Sequence, residues 1–165
     1  MALQTLPETQ RQESFVSVFL KTALVAGTLD ILSALTHAYI ASGTGPAIIF
    51  KYIASGLFGP SAFSGGTGMI IAGLIIHYLI AAAWTLLFLL IYPKVGFLSK
   101  SITLSAIVIG ALIWLGMKFL VLPLTLVPKS PFNPVQAAIG AAILIVAIGV
   151  PVSYFARRYY SRADT

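Results

Sequence analysis

Cysteine is absent from the chain, which excludes disulfides, thiol nucleophiles and Cys-ligated metals or clusters. Acids are almost as scarce. There are four in 165 residues, and Asp30 is the only one between Glu13 and Asp164. Charged residues of both signs make up 8% of the chain, where a soluble domain carries about a quarter, so a water-soluble globule is excluded. The basic residues do not gather in one patch, and this leaves nucleic-acid binding without support. No serine or threonine nucleophile motif occurs. The turn Ser64-Gly65-Gly66-Thr67 has no Walker lysine, so it reads as a helix entry rather than a phosphate cradle.

What remains is overwhelmingly apolar: 59% hydrophobic residues and a mean hydropathy of +0.99. The apolar residues fall in runs longer than about eighteen, the length that crosses a bilayer as a helix. These predict an all-α membrane protein with four transmembrane helices at about 15–41, 67–92, 101–122 and 135–156. The first could begin at Phe15 or, if Lys21 sits at the interface, at Thr22. Pro93 and Pro123 close the second and third spans, and Pro151 predicts a kink near the end of the fourth. Between the first two spans, a short helix at about 46–58 opens on Pro46 and ends at Gly56 or Gly59-Pro60. It is too short to span, so it is interfacial or re-entrant, and Lys51 and Tyr52 in its middle favour the interface. The link from Pro123 to Pro134 holds four prolines and reads as extended.

Lysine and arginine sort to one side. With both termini inside, Arg11, Lys21, Lys94, Lys100, Arg157, Arg158 and Arg162 face the cytoplasm, against Lys51, Lys129 and Lys118 outside. That places a cytoplasmic tail at 1–14, one four-helix domain at 15–156 and a basic cytoplasmic tail at 157–165.

Four ionisable groups lie within or near the spans: Asp30, His37, His77 and Lys118. A carboxylate inside a membrane costs several kcal/mol unless it is protonated, paired or hydrated, so Asp30 needs an explanation. Counted from the outer helix ends, Asp30 and His77 each lie eleven residues deep, which predicts an ion pair or hydrogen bond between them. His37 and Lys118 belong to a layer nearer the outer surface, and Lys118 reads as a snorkelling side chain. The same count staggers His37 and His77 by about 10 Å, too far for two axial ligands on one haem iron. One acid is also too few for a divalent metal with the two histidines. Small residues mark helix contacts in lipid, so Gly27, Gly73, Gly110 and Gly140 are expected at helix seams. Gly56, Gly59, Gly65 and Gly66 are expected to let the loop approach them closely.

The stretch Tyr52-Ile-Ala-Ser-Gly-Leu-Phe-Gly59, followed by Ala62-Phe63 and Gly65-Gly66 and then by His77, resembles a group of small four-helix bacterial inner-membrane proteins with a domain of unknown function. The resemblance implies a bacterial plasma-membrane protein in which Asp30, Gly59, Gly66 and His77 form one site. No catalytic set, cofactor or metal site is expected. The expected partners are the lipid bilayer and other copies of the chain, or a larger membrane complex. An accessory or structural membrane subunit is the first functional reading. The alternative is a proton- or small-solute-handling protein that uses Asp30 and His77 as an intramembrane pair.

Overall fold

The computed structural model describes residues 13–129 and 131–161. Most of the expected N-terminal tail, with Arg11, and the end of the C-terminal tail, with Arg162, lie outside the described residues.

The first span, α1 (Phe15–Ser42), starts where the Ser14 hydroxyl accepts from the Ser17 amide at 3.2 Å. This settles the choice of start in favour of Phe15. Lys21 then lies in the second turn, where its ammonium donates to the Glu13 carboxylate at 2.9 Å. At the other end Gly43 takes φ 68°, a left-handed conformation that an L side chain resists, and its amide returns to the Tyr39 carbonyl. Pro46 opens α2 (Pro46–Phe58), which Gly59 terminates at φ 63°. A single turn, α3 (Ser61–Ser64), leads into α4 (Thr67–Ile91), and that span continues through a tight turn to Lys94. Ser101 caps α5 (Ile102–Gly116) by accepting from the Leu104 amide. The last span is α6 (Pro134–Leu144), capped by Asn133, and α7 (Val150–Tyr160), joined by a widened turn.

Four helices are therefore long and apolar enough to cross a membrane: Phe15–Ser42, Thr67–Lys94, Ile102–Leu124 and Pro134–Tyr160. This is a multi-pass, all-α membrane protein. The sequence boundaries differ mainly at the C-terminus, where the helix runs on through Arg157 and Arg158 to Tyr160 instead of becoming a tail at 157. Tyr160 is what holds it. Its ring stacks on Tyr92 at 5.7 Å, and its hydroxyl donates to the Leu89 carbonyl at 2.8 Å.

Two π-helical turns, Met117–Val121 and Ile145–Gly149, each precede a proline, Pro123 and Pro151. A proline has no N–H to give and its ring crowds the carbonyl four residues back, so the helix widens one turn ahead instead of breaking. The core of the bundle lies towards the end that holds both termini. Ala26, Phe88, Leu89, Ile109, Ile113, Ile148 and Val152 from the four spans meet there.

The short helix α2 packs on protein along one face, where Ala54, Ser55 and Gly56 are buried, and leaves Ile48, Tyr52, Leu57 and Phe58 exposed on the other. Its Phe50 carbonyl lies against Gly73, six residues into α4 and about 9 Å from that helix's start. The Gly56 carbonyl accepts from the Leu126 amide at 3.0 Å. Lys51 does not reach outward; its ammonium donates to the Phe63 carbonyl at 3.1 Å. These contacts tie α2 to α4 and to the link before α6.

Candidate functional site

The site grows from the seam between α1 and α4. Gly27 presents no side chain there, and an added Cβ would stand 3.1 Å from the Tyr78 ring and 3.2 Å from Ala81. That close approach lets two polar contacts form across the seam. The Thr28 and Tyr78 hydroxyls share a hydrogen bond of 2.7 Å, and His77 Nε2 stands 2.8 Å from the Gly27 carbonyl oxygen. A carbonyl oxygen only accepts, so Nε2 carries a proton and donates it to this bond.

This geometry corrects the expected Asp30–His77 bond. His77 is level with Gly27, one turn away from Asp30 along α1, and it spends its donor on backbone. Asp30 forms neither a hydrogen bond nor an ion pair among the described residues. The physical cause is the depth of α4. Counting from the loop ends assumes that α1 and α4 finish level, but the α2–α3 segment between them displaces α4 by about a turn.

Asp30 and His77 still meet, on the wall of one cavity of about 630 Å³ between α1, α2, α4 and α5. Tyr52, Ile53 and Gly56 of α2 close one side, and Trp84 and Ile113 lie towards the core. Most of the lining is aliphatic. Trp84 Nε1 is engaged with Met117 Sδ at 3.4 Å, and the Thr125 hydroxyl donates to the Leu122 carbonyl. That leaves the Asp30 carboxylate and the Tyr52 hydroxyl as lining groups with no hydrogen bond or salt bridge among the described residues. His77 is the polar neighbour that acts on Asp30 electrostatically.

No family model, no curated protein and no solved structure matches the chain. The site is therefore argued from its own groups.

His37 and Lys118 are not part of the cavity. His37 Nε2 pairs with Gln136 Oε1 at 2.7 Å, and the Lys118 ammonium lies 5.1 Å above the centre of the Phe132 ring. Both partners sit at the entry of α6, so the two residues do share a layer near the loop end, separate from Asp30. His37 is ten residues along α1 from the level of His77, about 15 Å, which widens the stagger expected from the sequence.

The glycines divide sharply. Cβ atoms at Gly73 and Gly110 would fall 1.9 Å from the Phe50 carbonyl oxygen and 2.5 Å from Ile145 Cα. Gly65 would meet only the flexible Met69 side chain closer than 3.0 Å, and Gly56 makes ordinary contacts from 3.6 Å outward. Gly59 is held by its positive φ rather than by crowding. Two expected packing positions are corrected. Gly66 has open space around it, and Gly140 faces nothing nearer than Trp114 Nε1 at 3.9 Å. Gly66 is the residue that caps the start of α4, and Gly140 lies in the first half of the last span.

Sequence reasoning missed Gly149 and Gly116, whose Cβ positions are taken by the Ala106 carbonyl and the Trp84 ring. The signal for Gly149 was its place two residues before Pro151, where a helix must widen.

His77 tests how much the seam depends on its polar bond. Interhelical hydrogen bonds in membranes contribute about 0.6 kcal/mol on average and about 1.7 at most. His77→Leu is accordingly expected to fold, with a loss of about 1 kcal/mol read by thermal denaturation. Failure to fold would mark His77 as a structural keystone instead.

Proposed function

We propose that this membrane protein binds a small solute in the cavity between α1, α2, α4 and α5, with Asp30 as the anchoring group and His77 beside it. One observation carries the reading: the only acid within the spans faces a cavity and forms no hydrogen bond or salt bridge among the described residues. A purely structural or accessory role does not account for that placement, because an acid recruited for structure is paired. A largely apolar, preformed cavity with a few convergent polar groups is the usual form of a small-molecule site. The arrangement suggests no reaction, since no second catalytic group accompanies Asp30 and His77.

The orientation we propose puts both termini in the cytoplasm of a bacterium, with the protein in the plasma membrane. Lys94, Lys100, Arg157 and Arg158 at the end with both termini outnumber Lys51 and Lys129 at the other, which supports that sidedness. The likeness of Tyr52–Gly59 and its following glycines to small bacterial inner-membrane proteins supports the location. A second copy of the chain would supply the room that a four-helix monomer lacks for a complete pathway across the bilayer.

Stability distinguishes a binding group from a structural clasp. Asp30→Asn keeps the shape and removes a carboxylate that has no hydrogen bond or salt bridge in the protein, so it is expected to raise the stability of purified protein by about 1 kcal/mol. A clasp predicts the opposite sign. Binding is tested directly in nanodiscs with the Trp114→Phe variant, which leaves Trp84 on the cavity wall as the only tryptophan. Saturable quenching of Trp84 by para-bromophenylbutanol or para-bromophenylbutylammonium is the expected result. If neither probe quenches beyond its linear partition into lipid, the cavity is not a binding site.

A further inference from the structure

We infer that the cavity takes a lipophilic organic cation, a protonated amine on an apolar body, which enters sideways from the bilayer. The inference deepens the binding role proposed above and rests on it. Its first support is the chemistry of the unpartnered groups. The Asp30 carboxylate offers acceptor oxygens, and the Tyr52 hydroxyl can turn to either role. Such a set is complementary to N–H donors and hostile to an anion.

The second support is the lack of a permanent cation in the lining. No lysine or arginine lines the cavity. The nearest candidates are already engaged, Lys51 with the Phe63 carbonyl and Lys118 with the Phe132 ring. His77 is the only basic side chain on that wall and forms no salt bridge with Asp30, so a ligand ammonium is the group left to contact the carboxylate directly. A hydrated metal ion fits poorly, because a single carboxylate in an aliphatic shell cannot replace its water ligands. An ammonium on a hydrocarbon body uses both the carboxylate and the shell, and the Tyr52 and Trp84 rings add cation–π surface.

The third support is the position of the mouth. Two lining residues, Leu57 of α2 and Leu79 of α4, are 65% and 64% exposed and so form the rim. Leu79 is twelve residues into α4, about 18 Å from its start, near the middle of the span. A rim of exposed leucines at that depth faces hydrocarbon, so the entering molecule is one that dissolves in the bilayer.

The experiment compares the two brominated probes, which share a body and differ in the head: ammonium against hydroxyl. At neutral pH the ammonium is expected to quench Trp84 with an affinity at least about tenfold above that of the alcohol, the gain of a charge-assisted bond over a neutral one. In Asp30→Asn that ratio is expected to fall to about one, with the alcohol's own affinity unchanged. Equal affinities in the unsubstituted cavity, or a preference for ammonium that survives Asp30→Asn, would overturn the cation inference while leaving cavity binding intact. Loss of saturable quenching by both probes would overturn both. Since the first comparison needs no change at Asp30, the inference stays falsifiable even if that variant does not fold.

Discussion

Gly73→Ala is expected to lower stability by about 3 kcal/mol, near the upper end of what overpacking costs, and to abolish cavity binding in whatever protein still folds. The added Cβ would stand 1.9 Å from the Phe50 carbonyl oxygen and 2.6 Å from its carbon. Those are backbone atoms of a helix, so no side-chain rotation relieves the clash. The whole of α2 must retreat from α4. Tyr52, Ile53 and Gly56, which close the cavity, sit on the same helix and move with it. Gly66→Ala, seven residues earlier in open space, is the control and is expected to fold with nearly unchanged stability. Folded yield, thermal denaturation and Trp84 quenching measured on both variants decide the matter. If Gly73→Ala matches Gly66→Ala in all three, α2 is not clamped to α4.

The second large effect belongs to Gly110 and Gly149, which face each other across the contact between α5 and the last span. A Cβ on Gly110 would lie 2.5 Å from Ile145 Cα, and one on Gly149 would lie 2.3 Å from the Ala106 carbonyl oxygen. Each glycine thus accepts the backbone of the opposite helix, at either end of the π turn Ile145–Gly149. Gly110→Ala and Gly149→Ala are each expected to cost about 2–3 kcal/mol, because neither helix can approach the other as closely. The double variant is expected to cost clearly less than the sum, since the first substitution already separates the helices that the second would push apart. Denaturation of the four proteins in one detergent supplies the cycle. Full additivity would show that the two contacts relax independently, which rigid helices in register do not allow.

The predictions reach the site differently. Changes at Gly73 move a wall of the cavity, whereas changes at Gly110 and Gly149 weaken the bundle below it and leave the Asp30 surroundings to follow. Asp30→Asn should separate from both: the fold keeps or gains stability and the preference for ammonium disappears. A protein that loses stability in all of these variants together would be one in which Asp30 is a structural group.

Much of this was legible from residue order alone. The four spans follow from runs of apolar residues that water will not accept as a soluble fold, and the helix ends follow from Ser101, Gly43, Pro46 and Gly59, whose local chemistry suits caps and stops. Asp30 stood out because it is the only acid in the spans, and a lone charge in hydrocarbon carries its own cost wherever the helices pack. What the chain order could not supply was the register between helices. That His77 hydrogen-bonds the Gly27 carbonyl rather than Asp30, that α2 lies against Gly73, and that Gly149 rather than Gly140 is the packing glycine of the last span all depend on one helix sliding along another by a turn or less. A turn is about 5 Å, and the three-residue and eight-residue links around α2 can absorb that much in either direction. Hydrophobicity is indifferent to such a slide, because lipid and helix surface are equally apolar. Only close contact between backbones, allowed where glycine leaves room, chooses among the registers, and that choice leaves the acid unpaired on a cavity.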